Sequence, residues 1–146
     1  MDNIAIVKAC LAAVEQARFD DAEQLIADDF EMFGPAPKPV SKRDWIGNHR
    51  SMNVAFPDYA FNPTAFEERE GKVFCRMRIT GTHLGPLDLS SLGVPSLPAT
   101  GKTFVLPPQS VEWHFSGGRI SRAIVENPPG GGFAGLLQQL GAELPV

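Results

Sequence analysis

Cysteine is scarce in this chain, with two residues in 146, Cys10 and Cys75. Two thiols make neither a disulfide framework nor a zinc site, so the fold must rest on its apolar core. Basic charge is lacking too. Thirteen Lys and Arg face seventeen Asp and Glu, for a net charge of -4. That balance argues against nucleic acid, which rewards a basic face, and against anionic membrane surfaces. No apolar run approaches the roughly 18 residues that a membrane span needs. The start, Met1-Asp2-Asn3, is acidic where a secretory leader is basic, and no small-residue cleavage site follows. These absences point to a soluble, cytoplasmic protein. The length fits one domain over residues 1–146, large enough to bury a real core. Hydrophobic residues at 43% and charged residues at 21% give a globular rather than a disordered balance. What the chain has in plenty is glycine and proline, 14 and 13, mostly in its second half.

The first third reads as helix. Ile4, Val7, Leu11 and Val14 recur at helical spacing, and Asp2 or Asn3 can cap the start. Asp20 with Glu23 has the spacing of a capping box for a short second helix with Ala22, Leu25 and Ile26 on its apolar face. Asp28-Asp29 ends it, and Phe30 to Phe33 is a brief strand. Gly34 to Pro39 holds three prolines and reads as a loop. Ser41 then caps a third helix, which carries Trp45, His49, Met52 and Phe56 on one face and stops at Pro57.

The rest reads as strand. Tyr59 to Glu68, Val73 to His83, Phe104 to Phe115 and Ile120 to Glu126 alternate, with turns at Arg69–Lys72 and Ser116–Arg119. A bulge is expected at Pro107-Pro108. Phe133, Leu136, Leu137 and Leu140 predict a short closing helix capped by Gly141. Helices followed by antiparallel strands make an α+β order. A curved antiparallel sheet must bury one face, and the amphipathic N-terminal helices supply the cover, leaving a conical cavity between them.

Several segments carry a resemblance. They are Phe56-Pro57-Asp58-Tyr59 after a helix, Glu70-Gly71-Lys72-Val73 opening a strand, and Thr80-Gly81-Thr82-His83-Leu84-Gly85-Pro86 at its end. Thr100-Gly101-Lys102, Gly117-Gly118-Arg119-Ile120 and the final Gly135 to Gly141 complete the set. In this order and spacing the chain resembles the nuclear transport factor 2-like superfamily. The nearer resemblance is to its branch of SnoaL-like polyketide cyclases, or ester cyclases. It implies the NTF2-like cone, a cofactor-free reaction and a dimer formed through the outer sheet face. In those cyclases the last strand carries an aspartate proposed as general acid/base, often near a Trp. Here that strand reads Ile120-Ser121-Arg122-Ala123-Ile124-Val125-Glu126-Asn127, with Glu126 its nearest carboxylate.

The chemical candidates follow. Counting by twos from Met77 through Ile79 and Gly81 brings His83 onto the face that looks into the cone, where an imidazole suits proton transfer. The bland alternative is a histidine that pins the turn at Gly85-Pro86. Trp45, His49 and Met52 share a helix face and are expected to touch a ligand together with Met77. Glu112 and His114 alternate with Val111, Trp113 and Phe115, and either set can face inward. Glu126 and Glu112 are possible hairpin neighbours, and a buried carboxylate would be a usable base. Asp58 after Pro57 reads as a turn residue. Leu87, Leu89, Leu92, Val94 and Leu97 lie in one loop and either form a lid over the cavity or pack on a partner or the last helix. Gly130 to Gly135 spells G-x-G-x-x-G, but a dinucleotide site needs a following strand for which there is no room. Cys75 lies mid-strand and reads as buried and inert. No metal site is expected.

Three functions compete. The first is a cofactor-free enzyme that abstracts a proton next to a carbonyl of a small hydrophobic molecule. His83 or Glu126 would be its base, and the enolate would then close by aldol addition or isomerise. The second is a non-catalytic binding module, and the third an interaction domain that docks a partner on its open sheet. Converging polar groups in the cavity favour the first.

Overall fold

The computed structural model describes residues 2–34, 38–90 and 93–142. Helix α1 (Asn3–Glu15) opens on Asp2, whose carboxylate accepts the Ala5 N–H at 2.7 Å. It buries Ile6, Val7, Cys10, Leu11 and Val14. Helix α2 (Phe19–Gln24) starts one residue before Asp20, with Arg18 at its cap position and no side-chain cap bond. The expected Asp20–Glu23 box therefore does not form. Asp20 and Asp21 lie inside the first turn instead, where negative charge meets the positive end of the helix dipole.

The strand that follows begins earlier than its sequence pattern implies. Strand β1 (Ile26–Phe33) takes Ile26 away from the helix and carries Asp28 and Asp29 as exposed strand residues. It runs parallel to the last strand, and its register shifts between Ile26 and Glu31. Such an irregularity erases the alternation by which a strand is read. Strand β2 (Val40–Ser41) pairs antiparallel with β1. Ser41 then caps helix α3 (Lys42–Ala55), its Oγ accepting the Asp44 N–H at 3.2 Å.

The remaining strands are β3 (Thr64–Arg69), β4 (Lys72–Met77), β5 (Thr80–Thr82), β6 (Thr103–Val105), β7 (Gln109–Ser116) and β8 (Arg119–Glu126). Six strands form one sheet in the order β2-β1-β8-β7-β4-β3, antiparallel except for β1 against β8, while β5 and β6 pair separately. The Tyr59–Glu68 strand is shorter than expected. It starts after Pro63, and upstream only Ala60 bridges to Thr80. The long strands Val73–His83 and Phe104–Phe115 each divide in two. They divide side by side, where Leu106 N–H donates to the Ile79 carbonyl at 2.9 Å. Pro107 and Pro108 have no amide hydrogen to continue the ladder, so both strands turn there together. At the other end Gly117 and Gly118 have φ of +58° and +77° and join β7 to β8. That is the two-residue hairpin turn that glycine pairs favour.

The inner sheet face packs against the helices in one core, with Phe56, Phe104, Trp113 and Ile120 almost fully buried. Each such apolar side chain contributes about 1.5–3 kcal/mol by leaving water. Leu87, Leu89 and Val94 join this core, and Leu87 and Leu97 exchange two backbone hydrogen bonds. Helix α4 (Gly132–Leu140) closes the chain with Phe133, Leu136, Leu137 and Leu140 inward, and Gly141 ends it at φ +87°. Gln139 fastens it to the edge of β6, accepting the Val105 N–H and donating to the Val105 carbonyl at 3.1 and 2.9 Å. Among the described residues no helix is long and apolar enough to cross a membrane.

Candidate functional site

A cavity of about 50 Å³ lies between the sheet, α3 and α4. Helix α3 contributes Trp45, His49 and Met52, three residues that its period brings to one face. The sheet adds Met32, Val40, Met77, Gln109, Trp113 and Val125, and the paired strand breaks add Ile79 and Leu106. Tyr59 and Phe61 enter from the segment after α3, and Gly132, Phe133 and Leu136 from α4. The wall is apolar and aromatic, with His49, Tyr59 and Gln109 as its polar side chains besides the indole N–H groups.

His49 is the centre of this wall. Its ring lies 4.4 Å from Trp45, 5.7 Å from Tyr59 and 5.6 Å from Phe61, centroid to centroid. Nδ1 lies 2.8 Å from the Trp45 carbonyl. A carbonyl only accepts, so Nδ1 carries the hydrogen and Nε2 keeps its lone pair. Burial lowers the pKa of the ring to about 4, against the opposing pull of that carbonyl. His49 is therefore neutral at physiological pH. Burial, followed by the Glu15 carboxylate, raises the Tyr59 phenol far above its ordinary value, so Tyr59 stays a hydrogen donor. Trp113 donates its indole N–H to Cys75 Sγ at 3.3 Å, and burial raises the Cys75 thiol, which leaves it inert.

The structure thus brings together Trp45, His49, Met52 and Met77 from the residues singled out in the sequence. It does not bring His83, Glu126 or Glu112 to the cavity. His83 is fully buried, but the strand turn after Met77 carries it beside Phe56, at 5.4 Å between rings, and away from the cavity wall. Its Nδ1 meets Thr100 Oγ1 at 2.9 Å and the Thr100 N–H at 3.3 Å, so it pins the Thr100 loop as well as meeting the backbone of the Gly85-Pro86 turn. Burial lowers its pKa, and the Gly85 backbone opposes that. Glu112 and Glu126 are corrected by strand parity. Trp113 and Val125 face inward, so Glu112 and Glu126 lie on the outer face, in a groove with Arg76 and Ile124. The two are not opposite one another either, because Glu112 pairs with Ile124 and Ser110 with Glu126. The hairpin turn and the bulge beside Phe115 set that register.

Asp58 is a turn residue, its two oxygens accepting the Thr82 N–H and hydroxyl at 2.7 and 2.8 Å. Burial acts to raise its pKa, but those hydrogen bonds outweigh it and hold Asp58 below the usual carboxylate range. The Leu84–Pro98 loop supplies none of the described cavity wall, and Leu92 lies outside the described residues. Helix α4 covers the cavity in its place. Tyr59 and Gln109 escaped the sequence reading, which left open the side that Trp113 faces. The available signal was parity, since an inward Trp113 brings Gln109 with it four residues earlier. Among the described residues no three His, Cys, Asp or Glu side chains gather to hold a metal ion.

The sequence pattern of the SnoaL-like domain family matches residues 7–123. The chain belongs to that family. Solved structures agree on the fold of this SnoaL-like protein. AclR, a candidate hydroxylase from Streptomyces galilaeus, superposes with a TM-score of 0.71 at 20% identity, over 94% of this chain and 93% of its own. IdmH, a candidate polyketide cyclase from Streptomyces antibioticus, gives 0.67 at 20% identity over 94% and 97%. A SnoaL-like polyketide cyclase from Agrobacterium tumefaciens gives 0.67 at 16% identity over 96% and 98%. No curated protein sequence matches the chain. At such identities the likeness shows the fold alone, and one fold hosts many reactions.

Proposed function

We propose that this SnoaL-like protein is a cofactor-free cyclase or isomerase acting next to a carbonyl of a small hydrophobic molecule. The observation that carries this reading is His49, a neutral imidazole with a free Nε2 lone pair on an apolar wall beside the Tyr59 ring. In this reading Nε2 takes the α-proton, the C–H electron pair becomes the enolate double bond, and Tyr59 donates to the oxygen that gains charge. The enolate carbon then attacks a second carbonyl of the same molecule, or is reprotonated elsewhere. His49 takes the role that His83 and Glu126 hold in the sequence reading, because it is the one of the three on the cavity wall.

A binding module without chemistry is the second reading. Two observations favour it. No Asp or Glu lies among the described cavity residues, and burial makes His49 a weak proton acceptor. Deuterium exchange separates the two. In heavy water the protein should speed loss of the methyl protons of 4-hydroxyacetophenone, followed by NMR. His49→Gln should cut that rate by about 10²-fold or more while the ligand still binds. Binding without any acceleration by the wild-type protein selects the module.

We also propose a homodimer through the outer sheet face. Phe74 and Ile124 lie there among Arg69, Arg76, Glu112 and Glu126, a mixture of apolar and oppositely charged groups that suits a self-complementary face.

A further inference from the structure

We infer that the cavity selects a ligand bearing a hydroxyl donor, a phenol or enol on an apolar skeleton, and that Gln109 is the residue that reads it. This rests on the reading that the cavity holds a small molecule, and it narrows which one. The orientation of Gln109 is set outside the cavity, at the Gly34 carbonyl. Asn127 meets that carbonyl at 3.0 Å and must present its Nδ2–H there, because a carbonyl only accepts. Asn127 therefore turns Oδ1 toward Gln109, 3.3 Å away. An oxygen at that point needs a donor. That orients the Gln109 amide with Nε2 toward Asn127 and leaves Oε1 over.

Gln109 is 5% exposed and lines the cavity. Its Oε1 has no hydrogen-bond partner among the described residues, yet it is not one of the polar atoms sealed from open space. Across the wall the Trp45 carbonyl does the same for His49, leaving Nε2 as an acceptor. The cavity therefore presents two acceptors, Gln109 Oε1 and His49 Nε2, both fixed by backbone carbonyls that cannot change role. Tyr59 and Trp45 are the donor-bearing residues of its lining besides Trp113, whose N–H is taken by Cys75. A ligand with carbonyls alone can serve the donors but leaves both acceptors stripped of water and unpaired, which is costly in an apolar site. A ligand hydroxyl pairs with one of them, and its ring or chain lies against the apolar wall.

Trp45 and Trp113 are the two tryptophans of the chain, and both line the cavity, so their emission reports its occupancy. The test compares 4-hydroxyacetophenone with 4-methoxyacetophenone, by tryptophan emission and by calorimetry. The methyl ether keeps the carbonyl and nearly the shape but removes the donor. The hydroxyl compound should bind about tenfold or more tightly to the wild-type protein. In Gln109→Leu that preference should fall to near parity. Asn127→Ala keeps Gln109 but frees its amide to turn over, and should also weaken the preference while the ether binds as before. Equal affinity of the two probes for the wild-type protein overturns the inference and leaves the cavity as a ligand site. A preference that survives both substitutions overturns the role of Gln109. Emission and heat unchanged by either probe overturn the ligand reading of the cavity, and this inference with it.

Discussion

His49 and His83 are two of three histidines in the chain, and both are buried without charge. Their consequence for stability has a definite sign. The His49 ring has a pKa of about 4 in the fold and about 6.5 in the unfolded chain. Above the unfolded value the ring is neutral in both states and pH has no effect. Below it the unfolded chain takes up a proton that the fold refuses, so stability falls as pH drops from about 6.5 toward 4. The shift of His83 has the same direction and adds to the fall. His49 alone should cost about 2 kcal/mol between pH 7 and pH 4.5. Urea unfolding at those two pH values measures it, and His49→Gln should flatten the difference by that amount. An equally steep loss in the variant would exclude His49 as the source. At this scale the sequence was legible where a helix carried the residues. Trp45, His49 and Met52 share a face by period alone. Tyr59 and Gln109 were not legible, because Tyr59 lies in the irregular segment between α3 and β3 and Gln109 follows Pro108, which interrupts the count along its strand.

Among the elements, α4 is the one whose role its own pattern could not disclose. Its apolar face over Phe133, Leu136 and Leu140 predicts a buried helix, and the structure makes that face part of the cavity wall. The approach depends on a missing side chain. A Cβ at Gly135 would collide with the Gly130 carbonyl oxygen. Gly135→Ala should therefore push the helix away from its lead-in loop and cost about 1–3 kcal/mol. The readouts are a lower melting temperature and weaker binding of 4-hydroxyacetophenone, since Phe133 and Leu136 move with the helix. A variant with wild-type melting and affinity would show that this close approach supports neither. The G-x-G-x-x-G spelling of the same segment thus has a packing reason. The Leu84–Pro98 loop went the other way: its side chains are apolar enough for a lid, and Leu87, Leu89 and Val94 are spent in the core.

For the whole molecule, the sheet has two faces with different work. The inner one, with Met77, Gln109, Trp113 and Val125, borders the cavity. The outer one presents Phe74 and Ile124, the latter 37% exposed, between charged neighbours. Light scattering at micromolar concentration should give a dimer. Ile124→Lys should give a monomer that still binds 4-hydroxyacetophenone, because the substitution lies across the sheet from the cavity. A wild-type monomer, or a dimer indifferent to Ile124→Lys, would place no second copy on this face.

Composition, helical period and turn chemistry are local, and they determined the α+β order, the α3 face, the glycine hairpin and the closing helix from sequence alone. Each depends on residues a few positions apart, whose preferences survive whatever surrounds them. Which side of each strand looks inward was decided only in three dimensions. The register shift in β1, the bulge beside Phe115 and the double break at Pro107-Pro108 each reset the alternation. A reset of one residue exchanges the two faces of everything beyond it. That is why Glu112 and Glu126 face outward and Gln109 joins His49 on the cavity wall, while His83 keeps its inward parity and misses the cavity because the strand turns away after Met77.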